Sequence, residues 1–127
     1  MKIFLYVLIA FTLFIACNSD DNCTTYESPY VREVNAPLTG KVNQDISIEV
    51  QFRVINGCGE FSKFIETSAG NIRTIEVEAK YEGCAPCTHA VETRIVNYIF
   101  NTQTAGLYVF KFKSGDSDFI TVNITIE

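Results

Sequence analysis

The sequence predicts an all-β domain, an antiparallel β-sandwich of about seven strands. Three observations carry that expectation. Apolar residues recur with a period of two in several segments, so each segment has one face to bury. Clusters of Gly, Asn, Asp and Ser separate those segments at short spacing. The sets of inward residues are large enough to fill a core in a chain of single-domain length.

Residues 23–27 are polar, and the first candidate strand is Pro29 to Val34, with a proline suited to a first or edge position. Residues 36–44 contain Pro37, Gly40 and Asn43 without apolar repeat and read as a connection. The clearest strand follows: Ile46, Ile48, Val50, Phe52 and Val54 alternate with Ser47, Glu49, Gln51 and Arg53. Asn56, Gly57 and Gly59 then end it with residues that tolerate positive φ. Segments 61–67 and 72–81 flank Ser68-Ala69-Gly70-Asn71, a hairpin turn, and Ile75, Val77, Ala79 and Tyr81 form the inward set of the second arm. Residues 91–100 fit both a helical face and a strand, and their β-branched and aromatic content favours strand. Two further alternating segments complete the set: Tyr108, Phe110 and Phe112, then Ile120, Val122, Ile124 and Ile126.

The N-terminus reads as an address. Lys2 precedes an apolar run from Ile3 to Ala16 that is shorter than the span of about 20 residues a membrane helix needs. That is the pattern of a signal peptide over residues 1–16. Leu13-Phe14-Ile15-Ala16-Cys17 resembles the lipobox of bacterial lipoproteins, with Phe14 where leucine is usual. The resemblance implies cleavage before Cys17 and a lipid on its thiol, with more than one acyl chain giving a stable anchor. Asn18-Ser19-Asp20-Asp21-Asn22 is similar to the acidic segment that follows the lipidated cysteine in Bacteroidota lipoproteins. This implies an outer-membrane protein of the bacterial envelope, with display on the cell surface as an extension. Residues 17–27 are then a lipidated tether and 28–127 the sandwich domain.

Removing the first 16 of 127 residues leaves 111, enough for one domain. It also leaves 9 basic against 15 acidic side chains, a net charge of −6 without a basic stripe, so nucleic acid is excluded as a partner class. The four remaining cysteines, Cys23, Cys58, Cys84 and Cys87, are an even number and are expected to be oxidised in an exported domain. If the strands run alternately up and down, the N-terminus and the connections at 56–60, 82–89 and 114–117 share one end. All four cysteines then lie together. Three connectivities are possible, and cross-loop bonds from Cys23 and Cys58 to Cys84 and Cys87 are preferred.

Thr104-Ala105-Gly106-Leu107-Tyr108 resembles the G-x-Y entering the sixth strand of immunoglobulin-like domains, which implies an immunoglobulin-like sandwich with a tyrosine hydroxyl bonded back to the upstream backbone. Gly106 and Tyr108 are the residues that mark it. Phe110 stands where antibody domains place their second core cysteine, and the chain lacks tryptophan, so an apolar core must replace the inter-sheet disulfide.

Gly83-Cys84-Ala85-Pro86-Cys87-Thr88-His89 is the natural place to look for chemistry, since it holds the lone histidine. Cys84-Ala85-Pro86-Cys87 resembles a thioredoxin motif, yet strand patterns surround it instead of a βαβ unit, and no later proline can supply that fold's cis-proline. A Cys/His metal site has one pair with ligand spacing, and C-x-x-C-H haem attachment fails at Thr88. Glu76 and Glu78 lie on one outward face; Asp116 and Asp118 form an acidic turn too short for a calcium loop. The expectation is therefore a non-enzymatic binding or structural module without cofactor, anchored to the membrane through Cys17 and facing a protein or glycan. The alternatives are a thiol-redox or metal-binding protein using Cys84 and Cys87, and an accessory subunit of an envelope assembly. The binding surface is expected at the end away from the cysteines, at 37–44, 68–71 and 101–104.

Overall fold

A computed structural model describes residues 23–127, so the expected leader at 1–16, the lipidation site Cys17 and the acidic segment lie outside the described residues. Among the described residues nine strands form in order: β1 (Thr24–Glu27), β2 (Val31–Asn35), β3 (Thr39–Gly40), β4 (Ile46–Val54), β5 (Gly59–Ala69), β6 (Ile72–Glu82), β7 (Glu92–Phe100), β8 (Gly106–Lys113) and β9 (Phe119–Ile126). They build two sheets. One runs β1-β6-β8-β9-β3, with β5 on the other edge of β6, and the second runs β2-β4-β7. The expected sandwich is there, and alternation decides which residues fill it.

Ile46, Ile48, Val50, Phe52 and Val54 are buried from one sheet, while Ile75, Val77, Ala79, Tyr81, Tyr108, Phe110 and Phe112 are buried from the other. Phe110 on β8 packs against Tyr98 and Phe100 of β7 at ring centroid separations of 5.9 and 5.0 Å, edge to face. It fills the space between the sheets, where an inter-sheet disulfide would otherwise sit, with a ring.

Pairing departs from a wholly antiparallel arrangement at two places. Ile72–Ile75 of β6 runs parallel to residues 109–112 of β8, and β3 runs parallel to the end of β9. Both follow from strand direction. Strands β4 to β9 alternate up and down, so β6 and β8 point the same way. Strands β1, β2 and β3 form one extended run that pairs first with β6, then with β4 and last with β9. Thr24–Glu27 and Thr39–Gly40, which read as tether and connection, are thus parts of sheets. Neither has an apolar alternation to announce it, because each contributes backbone hydrogen bonds more than buried surface.

Strand β5 explains why its sequence lacks a clean period. A bulge between Phe61 and Lys63 lets Phe61 face Ala79 and Phe64 face Val77 across the ladder. An odd and an even position therefore share the inner face, with their rings 4.7 Å apart. The turn at residues 56–59 also differs from expectation: among the described residues positive φ occurs at Asn43, Gly70 and Gly106, and not at Gly57 or Gly59. Gly59 is needed for space. A Cβ there would lie 2.5 Å from Val54 Cβ and 2.6 Å from Tyr81 Cε1.

Gly106 has φ 146°, in the region that side chains rarely adopt, and two residues later Tyr108 is buried with its hydroxyl donating to Thr104 O at 2.8 Å. The same hydroxyl lies 2.9 Å from Thr102 Oγ1. Replacing Tyr108 by Phe keeps the ring and removes this bond; the expected loss is about 1 kcal/mol, seen in thermal melts as a drop of about 4–8 °C.

Tyr98 carries a pH-dependent contribution. Burial, and then the Glu66 carboxylate beside it, push its hydroxyl above the ordinary value of 10.0. Below pH 10 the hydroxyl is protonated in the folded and unfolded chains alike, so it adds no slope. Above that pH the unfolded chain releases the proton while the fold retains it, and stability falls. Denaturant midpoints measured from pH 9 to 11 should fall less steeply in Tyr98→Phe than in the parent.

Candidate functional site

The four described cysteines meet at one end of the sandwich. Cys23, just before β1, bonds Cys84, and Cys58, just before β5, bonds Cys87, with Cα separations of 5.2 and 5.3 Å. Each bond is accompanied by a backbone hydrogen bond: Gly83 N–H donates to Cys23 O, and Gly57 N–H donates to Thr88 O, both at 2.9 Å. The two cysteines of the C-x-x-C motif thus serve different partners. A dithiol cycling between Cys84 and Cys87 would require both cross-loop bonds to open.

A charged residue that the alternation did not single out completes this end. Arg94 lies on the inner side of β7, opposite Phe52. Its Nε donates to Gly59 O at 2.9 Å, one terminal nitrogen reaches Gly57 O at 3.3 Å, and the other pairs with Glu92 at 2.6 Å. A guanidinium fork so ties an edge of one sheet to the loop that carries Cys58. Glu92 and Arg94 continue the inner positions of Val96, Tyr98 and Phe100, while Val91, Ile95 and Ile99, whose spacing also fits a helical face, are exposed.

His89 is exposed, and among the described residues no group of three His, Cys, Asp or Glu side chains could hold a metal ion. Asp116 accepts a hydrogen bond from the Tyr30 hydroxyl, which raises that hydroxyl's pKa, and Ser114 N–H donates to the backbone oxygen of Asp118. The outward carboxylates of β6 are engaged by neighbours, Glu76 with Lys113 and Glu78 with Ser62.

Beside the staples a half-open cleft of about 380 Å³ lies between the N-terminal run and the end of β4, floored by Val54 and Tyr81 and bordered by Arg32, Arg53, Ile55 and Val91. Its sequence signal is faint: Arg32 is the extra residue of a bulge in β2, which alternation does not reveal.

The opposite end gathers 37–44, 68–71 and 101–104. Asn43 N–H donates to Thr102 O at 2.8 Å, and Asn101 Nδ2 donates to Asp45 at 2.8 Å. Asn71 O accepts from Val109 N–H at 2.9 Å while its side chain reaches Leu107 O, which fastens the β5–β6 turn to β8. Leu38 is 82% exposed there. These loops are braced by backbone and side-chain bonds, with Val42 packed against the core and Leu38 left to solvent.

The bonds close loops with sequence separations of 61 and 29. The chain-entropy model gives about 4 kcal/mol for the first and about 3.5 for the second. Peptide mapping without reductant should recover Cys23 joined to Cys84 and Cys58 joined to Cys87. Removing the first pair as Cys23→Ala with Cys84→Ala should destabilise the domain slightly more than removing the second, in denaturant unfolding.

No curated protein and no solved structure matches the chain. A family model described as the ORF11 beta-sandwich domain matches residues 48–126. That stretch is more than half of the chain and extends from β4 to the end of β9, taking in Cys58, Cys84, Cys87, Gly106 and Tyr108. The chain therefore belongs to the ORF11 beta-sandwich domain family.

Proposed function

We propose that this protein is a non-enzymatic module of the bacterial envelope, held at the membrane by a lipid on Cys17 and offering its far loops to a protein or glycan. The observation that carries the reading is the position of the staples. Cys23 follows the lipobox cysteine by six residues, and both disulfides close the end of the sandwich at which that tether enters. Disulfides persist in oxidising compartments, which favours an exported chain. An anchor at this end leaves 37–44, 68–71 and 101–104 pointing away from the bilayer.

Two further features support a binding or structural role. His89 is exposed on the disulfide-bearing loop, and the core-facing charge at Arg94 is engaged by two backbone oxygens and Glu92. The far loops are cross-braced, so binding there would lose little conformational entropy.

Cell fractionation of the full chain tests the anchor. The parent should sediment with membranes and yield an N-terminal Cys17 peptide carrying acyl mass. Cys17→Ser should appear in the soluble fraction with the same disulfide map. A Cys17→Ser chain that stays with the membrane would sink the lipoprotein reading. Crosslinking of the parent in intact cells, followed by pull-down from solubilised membranes, separates a dedicated assembly subunit from a free surface binder.

A further inference from the structure

The cleft beside the staples owes its shape to the N-terminal run changing sheets. Thr24–Glu27 pairs with β6, Val31 pairs with β4, and residues 28–30 cross the gap between them. Under the crossing, the Tyr81 hydroxyl accepts the Ile55 N–H at 3.2 Å, and Val54 is fully buried. At the rim Ile55 and Val91 are 59% and 63% exposed. Above them Tyr30 is held by Asp116.

Arg32 and Arg53 both line this cleft. In the β2–β4 ladder Val31 faces Phe52 and Glu33 faces Gln51, so the bulge leaves Arg32 without a cross-strand partner. Neither arginine forms an ion pair with a described residue, as Lys41, Lys63 and Lys111 also do not, whereas the other two described arginines, Arg73 and Arg94, each pair with a glutamate. Acidic side chains outnumber basic ones in the chain, so two unpaired guanidinium groups on one cleft are not a matter of scarce carboxylates. Each guanidinium presents a fork that fits two oxygens. A carboxylate has two oxygens and satisfies one fork; a phosphate monoester has three terminal oxygens and can engage both forks.

We propose that this cleft binds a phosphate monoester with an apolar, hydroxylated body. Arg32 and Arg53 hold the phosphate oxygens. Pro29, Ile55 and Val91 pack against the body, and Glu27 on the β1 side accepts a hydroxyl while excluding a second anion. The proposal does not rest on the lipid at Cys17. The phosphate could be borne by a phospholipid headgroup or by a soluble ester, and the two sources are separable.

The test uses the full chain in a phosphate-free neutral detergent, with binding read from the backbone amide resonances of Ile55 and Val91, which line the cleft in the parent and in every variant. The probes are glycerol 3-phosphate, dihexanoylphosphatidic acid, dihexanoylglycerol and hexanoate. Phosphate-bearing probes should bind saturably, shifting the Ile55 and Val91 amides. Arg32→Gln with Arg53→Gln should weaken this binding by about tenfold or more, the worth of one charge-assisted hydrogen bond. Lys41→Gln with Lys63→Gln removes the same charge elsewhere and should leave affinity within about twofold. Both arginines are exposed, so thermal melts of the double variant should match the parent. Tighter binding of the diacyl probe assigns a lipid headgroup, and equal binding of glycerol 3-phosphate assigns a soluble ester. Equal weakening by the two double variants, equal affinity for hexanoate or dihexanoylglycerol, or no saturable shift would overturn the proposal.

Discussion

The packing of β7 against β8 is the contact on which the domain depends. A three-stranded sheet has little inner surface, and most of what it can offer at its edge comes from the rings of Tyr98 and Phe100. Phe110 and Phe112 meet Tyr98 edge to face from the other sheet, and Tyr108 meets Phe100 at 4.9 Å. Phe61 and Phe64 extend the same seam along β5. Without these rings the smaller sheet would have β2 and β4 to bury and an edge strand open to water.

Charged residues close the seam at its two ends. Near the cysteines, Arg94 reaches from β7 to the backbone of Gly57 and of Gly59 at the start of β5. Toward the far end, Arg73 lies 5.8 Å above the Phe100 ring, pairs with Glu66 and donates to Gly70 O. In each case a guanidinium sits at the margin of the core, with its stem against apolar surface and its head on oxygens. The strand edges of the sandwich are therefore fastened by directional contacts while its middle is held by burial.

Much of this was legible in sequence, for a definable reason. Where a strand has one dry face, as in Ile46 to Val54 or Ile75 to Tyr81, every second residue reports its direction. Strand direction then fixed which connections meet, and so brought Cys23, Cys58, Cys84 and Cys87 together before any bond was assigned. Segments lacking that face were missed. Thr24–Glu27 and Thr39–Gly40 bury too little to show a period, and Ser62 and Arg32 are extra residues that reset it. The parallel join of β6 to β8 was hidden as well, since alternation gives a strand's face and direction but not its neighbour. The cleft rests on a bulge and on a crossing between sheets, two features without a compositional mark.

The interleaving of the two disulfides bears on the order in which the chain matures. Synthesis delivers Cys23 and Cys58 first, while their final partners still lie 61 and 29 residues downstream in sequence. The pairings that arise earliest, Cys23 with Cys58 and then Cys84 with its near neighbour Cys87, are both foreign to the finished domain. Correct oxidation must therefore wait until β5, β6 and the loop beyond them have formed, or a thiol exchange must undo the early bonds. The stapled end thus needs the chain through Cys87 and nothing beyond it, and a chain cut short before Cys87 could not close it.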